Sequence, residues 1–368
     1  MKLRIDSPIP AWGAQARDAA DRRLPPPLHG RAVHIFDAIV IVLILALPWI
    51  GVLDAGSMQV AVNVGLYVLL ALGLNVVVGF TGLLDLGYIA FYAIGAYLYA
   101  VLASPQFGLH WPFLGILPLA AIVAGIFGVS FGAPTLRLRG DYLAIVTLGF
   151  GEIIQLVANN AMPLTNGPQG IYALDTPSLF GYRLSSNTGY YYLLVVLCAL
   201  VVVVVTRLNR SRIGRAWAAI REDEDAARAA GINTVRMKLL AFAIGAMIGG
   251  LAGPVFAAND VFVSPVSFSL DQSILVLAMV VLGGMGSIRG VILGAAILVL
   301  VPETLRPLAA NRFIIVGAIM VIMMIVRPGG LLPSRVRALE IKRGRQPGMA
   351  LEAPHPSGTG LLREETRT

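Results

Sequence analysis

The hydrophobic positions of the chain fall into long continuous runs that short polar segments separate. A helix needs about 20 mostly apolar residues to cross about 30 Å of hydrocarbon, so runs of this kind predict membrane-spanning helices. The runs occupy residues 36–53, 59–79, 86–103, 112–134, 141–158, 189–206, 238–257, 272–282, 288–301 and 313–326. The pattern therefore predicts an all-α polytopic membrane protein with about ten transmembrane or partly spanning helices.

Two of these runs, 272–282 and 288–301, are too short for ideal spans. The glycines between them, Gly283, Gly284 and Gly286, should break any helix. We expect either two tilted short helices or a re-entrant hairpin buried against protein.

Composition agrees with a membrane location. The chain has 368 residues, of which 57% are hydrophobic and 13% charged, whereas globular proteins average about 25% charged residues. Much of the surface therefore does not face water. The single cysteine, Cys198, lies within an apolar run and is expected to behave as a small buried hydrophobic residue.

The positions of the basic residues predict the orientation. With the N-terminus inside and ten crossings, the inner segments are residues 1–35, 80–85, 135–140, 207–237, 283–290 and 327–368. Together with Lys238 at the membrane edge, they hold 25 of the 28 Lys and Arg residues. The outer segments hold only Arg183, Arg306 and Arg312. This bias predicts that both termini are cytoplasmic, and the net charge of +8 reflects orientation rather than binding to nucleic acid. One fused span over 272–301 would place the basic C-terminal tail outside, so we reject it.

The ends of the chain differ from the apolar middle. Residues 1–35 are polar and proline-containing, and we expect a disordered cytoplasmic N-terminal tail before a retained first span rather than a signal peptide. Residues 36–335 form the predicted transmembrane domain. Residues 336–368 carry mixed charges and are expected to be a disordered cytoplasmic C-terminal tail.

The largest internal cytoplasmic segment is residues 207–237. Positions 215–230 predict one helix by propensity, and the spacings Glu224–Arg228 and Arg221–Asp225 allow ion pairs. Gly231 should end the helix in the left-handed conformation. Small side chains would let a groove of another protein close over one side of the helix, although a solvated connector is the alternative. That side is expected to comprise Ala219, Ala226, Ala227 and Ala230.

Glu152 lies about 15 Å along its helix from the membrane boundary, near mid-bilayer. An ionisable residue at that depth is costly and usually faces a cavity or a partner. It either lines a pathway or makes a structural hydrogen bond to another helix, and the sequence favours neither. Polar or small neighbours are expected on one shared face, namely Thr147, Gly149, Gly151 and Gln155.

Asn75 and Asp85 flank Gly79 and Gly82, where the helix should be interrupted. A broken helix can present backbone groups to a polar substrate. Alternatively, this stretch is a cytoplasmic turn in which Asp85 caps the next helix. The outer loop 159–188 suits docking of a soluble binding protein, or is a passive connector.

Motifs for covalent chemistry are missing. The sequence contains no G-x-x-x-x-G-K-[ST] phosphate loop, no G-x-S-x-G elbow, and no metal-ligand spacing among its four histidines. We therefore expect a protein that is not an enzyme and binds no metal or cofactor. Energy for any transport would come from another protein.

Four blocks in order, at 73–97, 140–156, 165–171 (TNGPQGI) and 283–303, resemble the branched-chain amino acid permease family of ABC importers, and within it the LivM-type subunits. The run DAARAAG at 225–231 resembles the EAA loop of ABC permeases, which docks into the ATPase subunit. Here Asp225 replaces the usual Glu, and the downstream Leu-Pro is absent.

Two sets of site residues are expected. With the resemblance to the EAA loop, contact with the ATPase falls on Arg215, Ala219, Asp225, Ala226, Ala227 and Gly231. The interrupted helix and the depth of Glu152 predict a substrate pathway that contains Asn75, Asp85, Thr147, Glu152 and Gln155.

The resemblance also implies a bacterial inner-membrane assembly. Its partners would be a second homologous permease, two ATP-binding subunits that hold ATP and Mg, and a periplasmic substrate-binding protein. Branched-chain amino acids are the expected cargo, with urea or short amides as rivals. An ion-coupled secondary transporter using Glu152, and a membrane-embedded enzyme, are the alternatives from other classes.

Overall fold

A computed structural model of the chain describes residues 55–136, 141–179, 182–184, 186–304 and 329–332, with a few isolated positions besides. The chain divides into two compact units, residues 1–58 and 59–368, and almost all described residues belong to the second. The predicted first span, the two predicted disordered tails and nearly all of the predicted last span lie outside the described residues.

Helices dominate the described residues. They are α1 Ala55–Leu74, α2 Ile89–Leu102, α3 Phe113–Thr135, α4 Asp141–Asn160, α5 Met162–Thr165, α6 Asn187–Arg210, α7 Arg212–Glu222, α8 Glu224–Ala229, α9 Thr234–Asp260, α10 Leu270–Gly283 and α11 Ile288–Thr304. A π-helical turn, Asn75–Phe80, continues α1, and 3₁₀ turns occupy Gly167–Gln169 and Pro265–Phe268. Short antiparallel strands pair β1 Ile171–Tyr172 with β4 Phe262–Val263, and β2 Ser178–Leu179 with β3 Tyr182–Arg183.

Six helical stretches among the described residues are long and apolar enough to cross a membrane. They are Gly56–Phe80, Phe113–Thr135, Tyr142–Asn160, Asn187–Arg210, Thr234–Asp260 and Pro265–Gly283. The helix α2 is apolar but shorter. The prediction of an all-α polytopic membrane protein is therefore confirmed, while the count of ten helices stays a prediction.

Helix α9 packs against α2 and α3 with backbones in close contact. A Cβ added to Gly253 would overlap the backbone of α2 at Ala96, and one added to Gly95 would overlap the Gly250 carbonyl of α9. Small residues allow this approach, which in membranes replaces the hydrophobic driving force between helices. The glycine content of the spans therefore reflects tight helix crossings.

The break predicted at 283–290 is present. Helix α10 ends at Gly283, and Gly284 and Gly286 have φ angles of +113° and +83°, which residues with side chains rarely adopt. Helix α11 then packs back on α10, because an added Cβ on Gly290 or Gly294 would overlap the α10 backbone. Residues 270–304 are therefore two helices, and a single fused span is excluded.

The segments that the charge pattern predicts to be cytoplasmic lie at one end of the helix bundle. Arg221 of α7 donates to the Gly79 carbonyl, and Gly286 donates to Asn75. The amide of Leu331 bonds the Leu282 carbonyl at 2.9 Å. Described parts of the predicted inner segments 80–85, 207–237, 283–290 and 327–368 therefore lie together.

The opposite end holds the predicted outer segments. The amide of Asp175 bonds the Ala103 carbonyl at 2.8 Å, and Ile171 pairs with Val263 across two short strands. The loop between α4 and α6 is thereby joined to the chain between α9 and α10, so it is a structured loop.

Candidate functional site

The segment at residues 207–237 contains two short helices, α7 and α8, rather than the single predicted one. Helix α7 ends at Glu222, and Asp223 takes an extended conformation between α7 and α8. Its Oδ1 accepts from the amides of Asp225 at 2.8 Å and Ala226 at 2.9 Å. Asp is a strong N-cap, so it starts a new helix where summed propensity predicted continuation.

The predicted stop at Gly231 is confirmed. Gly231 has a φ of +84°, its amide bonds the Arg228 carbonyl at 3.0 Å, and the next amide, Ile232, bonds the Ala227 carbonyl at 3.1 Å. These two bonds form a Schellman motif, the helix ending that most favours glycine. The end of α8 therefore has a defined geometry.

Ion pairs fix α8 against α9. Glu224 accepts from Arg228 at 3.2 Å, as the i, i+4 spacing predicted. Its other oxygen lies 2.5 Å from the Lys238 ammonium, and the Lys238 side chain is only 4% exposed. A buried ammonium without a carboxylate is strongly unfavourable, so Glu224 holds the loop to the start of α9. Lys238 was seen in the sequence only as a charge at the membrane edge.

The expected alanine-lined side is incomplete. Ala226 and Ala230 are exposed and Ala219 is half-buried, but Ala227 is only 3% exposed. The break at Asp223 lets α7 and α8 orient separately, so the four alanines do not share one face. Arg215, Asp225 and Gly231 are exposed like Ala226, and these four residues form the accessible part of the predicted contact region.

Trp217 is a site residue that the sequence analysis missed. It is fully buried, stacks on Phe80 with ring centroids 6.3 Å apart, and donates its Nε1–H to the Met237 carbonyl at 2.8 Å. The signal was available, because Gly214, Trp217 and Ile220 recur at helical spacing and are all buried on one side of α7.

Asn75 lies in the π-helical turn and is fully buried. Its Oδ1 accepts from the Gly286 amide at 2.8 Å. Within the described part of the chain, its Nδ2 has no hydrogen-bond partner. Asn75 therefore joins the two interrupted segments that the sequence identified separately.

Asp85 lies in the connection 81–88, outside the six candidate spans. Its Oδ1 accepts from the Gly87 amide at 2.9 Å, and its Oδ2 has no partner among the described residues. Burial raises the pKa of the carboxyl to about 6, against the weaker lowering effect of the hydrogen bond from Gly87. Asp85 organises the turn but does not cap α2, which begins after Tyr88 without a side-chain cap.

Thr147 of α4 and Ser273 of α10 hold the same connection from two sides. The Leu86 amide donates to Thr147 Oγ1 at 3.0 Å, and Ser273 donates to the Leu86 carbonyl at 2.5 Å. A Cβ on Gly87 would overlap the Thr147 carbonyl. Non-helical backbone inside a membrane protein needs such partners. Sequence reasoning missed Ser273, which no local pattern distinguishes.

The single polar face expected on α4 is in fact two faces. Thr147, Gly151 and Gln155 recur every four residues and face the chain's own interior, where Gln155 donates to the Pro265 carbonyl at 3.2 Å. Gly149 lies on the opposite side, where no atom is near an added Cβ, and the half-buried Glu152 lies between the two sides, about 60° around the helix from both Gly149 and Gln155. The periodicity of a helix therefore separates Gly149 from the inward-facing set and places Glu152 at the edge.

The described ranges contain no group of three or more His, Cys, Asp or Glu residues able to hold a metal ion.

Closely packed apolar helices, interrupted helices and a folded polar loop define this protein as a multi-pass helical membrane protein. The chain belongs to the family described as the permease component of branched-chain amino acid transport systems, which matches residues 57–326.

Individual relatives agree with this family. The chain is 43% identical over 346 residues to the high-affinity branched-chain amino acid transport system permease protein LivM of Escherichia coli K12, covering 88% of this chain and 81% of that protein. The LivM of Salmonella typhimurium LT2 is similar to the same extent. The E. coli permease LivH is 26% identical over 284 residues, covering 72% of this chain and 91% of LivH. No solved structure matches the chain.

Proposed function

We propose that the chain is a permease subunit of an ABC importer that forms part of the translocation pathway for branched-chain amino acids. The observation that carries this proposal is the 43% identity to LivM over 88% of the chain. The protein itself would catalyse no reaction, and separate subunits that bind ATP and Mg would supply the energy.

The exposed part of the cytoplasmic loop is the proposed contact with those ATPase subunits. Arg215, Asp225 and Ala226 face solvent, and Gly231 gives the helix pair a fixed end. Glu224 and Lys238 join the pair to α9, so a force applied to α8 reaches a membrane helix directly. A free connector helix would not need this buried anchor.

The proposed topology has ten transmembrane or partly spanning helices and both termini in the cytoplasm of a bacterial cell, with the protein in the inner membrane. Its support is that the described parts of the predicted inner segments lie together at one end, beside a loop with seven arginines between residues 207 and 237. The predicted outer segments lie at the other end.

We further propose two partners besides the ATPases. A relative named LivH is similar along most of its length, which supports a second homologous permease in the assembly. The structured end that joins 159–188 to 258–271 is the proposed docking surface for a periplasmic substrate-binding protein. Its backbone pairing between β1 and β4 would keep that surface in one conformation.

Glu152 is proposed to face the pathway. It lies on the side of α4 where Ile145, Ile153 and Leu156 are exposed, more than half their surface in each case. A charged side chain near the bilayer centre costs about 2.5–3.5 kcal/mol in insertion experiments, so a water-filled pathway shared with the second permease is the more favourable environment. The walls of this pathway would be shaped by four residues that hold the connection 81–88 and the Pro265 turn in place, namely Asn75, Asp85, Thr147 and Gln155.

Transport assays on the reconstituted complex test this function. We expect proteoliposomes with both permeases, both ATPases and the binding protein to accumulate labelled leucine only with ATP on the ATPase side. Ionophores that dissipate ion gradients should leave the rate unchanged. Gradient-driven uptake by this chain alone would contradict the proposal and favour a secondary transporter. Uptake of urea in place of leucine would contradict the proposed cargo.

A further inference from the structure

We propose that Arg221 is a positioning residue that transmits movement of the α7–α8 helix pair to a helix junction inside the permease. The junction consists of the π-helical turn Asn75–Phe80 and the turn 284–287 between α10 and α11. This inference rests on the proposed function, because it concerns how ATP-driven motion enters the transmembrane domain.

Helix α7 is held tightly enough to move as a unit. Trp217, with no exposed surface, stacks nearly parallel on Phe80, with 8° between the ring planes. Its indole N–H also binds the Met237 carbonyl in the first turn of α9. Helix α7 cannot shift relative to the π-helical turn without breaking these contacts.

Arg221 reaches further along the same helix into the junction. Its Nη1 donates to the Gly79 carbonyl at 2.5 Å. A Cβ built on Gly286 would lie 3.0 Å from that nitrogen and 3.0 Å from the Gly79 oxygen. The guanidinium therefore lies against the backbone of both turns, and its hydrogen bond to Gly79 is charge-assisted.

The two turns are also joined to each other. Gly286 donates to Asn75 Oδ1, and a Cβ on Gly79 would overlap that oxygen and approach the Gly286 amide at 2.6 Å. Only glycines permit this proximity. Arg221 of α7 therefore contacts both turns at the point where they meet, although the two turns are more than 200 residues apart in the sequence.

The π-helical turn is a suitable element to move. Isolated π-helical turns are uncommon, interrupt the regular α-helical ladder, and are frequent at functional sites. The connection 81–88 follows this turn directly and passes between α4 and α10. If the Gly79 backbone moved so that its carbonyl exchanged one hydrogen-bond partner for another, the direction of this connection would change. Arg221 therefore links the cytoplasmic helices to the segment beside the proposed pathway.

The test compares three variants in the fully reconstituted complex: Arg221→Ala, Arg221→Lys, and Arg236→Ala as a matched control. Arg236 is an exposed arginine at the same end of the molecule, in the first turn of α9. We measure leucine uptake, ATP hydrolysis and thermal unfolding of each complex. The informative quantity is the number of substrate molecules transported per ATP hydrolysed.

For Arg221→Ala we expect normal assembly and continued ATP hydrolysis, with transport per ATP reduced by about tenfold, the order of a lost charged hydrogen bond. Arg221→Lys should recover part of the ratio, because an ammonium can donate to one carbonyl but lacks the planar fork. Arg236→Ala should retain the wild-type ratio.

An unchanged ratio in Arg221→Ala would overturn the proposal, and so would a loss of uptake that only parallels a loss of assembled complex. If Arg221→Ala does not accumulate, the number of substrate molecules transported per ATP is compared between Arg221→Lys and the wild type instead, and an unchanged ratio there would likewise overturn the proposal. Failure of the proposed function is separate, since the wild-type complex itself would then show no ATP-dependent uptake.

Discussion

Gly253→Val is expected to abolish accumulation of folded protein. Gly253 lies where α9 crosses α2, and even a Cβ there would overlap the Ala96 amide and lie 2.6 Å from the Tyr92 carbonyl. Overpacking a core against side chains costs about 1–3 kcal/mol, and the backbone atoms here can yield less than side chains do. Yield and monodispersity of detergent-purified protein, followed by thermal unfolding, measure the effect.

The control for this substitution is Gly115→Val in α3. Gly115 is exposed, and the nearest atom to an added Cβ is Pro112 Cγ at 3.8 Å, an ordinary contact. It should accumulate like the wild type. Equal stability of the two variants would show that α2 and α9 do not cross with their backbones in contact.

Gly231→Val is expected to leave the folded membrane domain intact but to uncouple ATP hydrolysis from uptake. Nothing lies within 4 Å of an added Cβ at this position, so packing would not change. The φ of +84° is the difficulty, because holding a β-branched residue there costs about 1–3 kcal/mol. The Schellman bonds would break and the end of α8 would unwind.

Gly231→Asn is the matched control, since asparagine tolerates the left-handed conformation better than other residues with side chains. Leucine uptake and ATP hydrolysis by the reconstituted complex separate the two variants. We expect the valine variant to hydrolyse ATP with little uptake and the asparagine variant to transport. Full uptake by both would mean that the geometry of the α8 end is irrelevant to coupling.

Features with local causes were predictable from the sequence. The length of the apolar runs predicted the membrane helices, the glycines at 283–286 predicted a break, and Gly231 predicted a helix end. Each depends on residues within one or two turns. Asp223 was not recognised as a helix boundary, because residues 215–230 contain seven alanines and five arginine or glutamate residues, whose summed helix propensity outweighed the capping preference of one Asp.

Long-range contacts were not predictable in this way. Arg221 and Gly79 are 142 positions apart, and Asn75 and Gly286 are 211 apart. Sequence reasoning identified both interrupted segments but gave no reason to join them. The division of α4 into two faces differs, since the angle between positions 147 and 149 already follows from 3.6 residues per turn. That division could have been foreseen.

Cross-linking from position 225 shows whether ATPase subunits contact this permease at its cytoplasmic helix pair, through which we propose that they act. The chain has one cysteine, Cys198, so Cys198→Ala gives a background for single-cysteine variants. Asp225 has a side chain 67% exposed on α8, whereas Asn160 is exposed at the opposite end of the bundle. A short thiol-reactive cross-linker is applied to the purified complex. We expect cross-links to an ATPase subunit from Asp225→Cys and none from Asn160→Cys. Absence of ATPase cross-links at position 225 in an intact complex, or their presence at position 160, would contradict it.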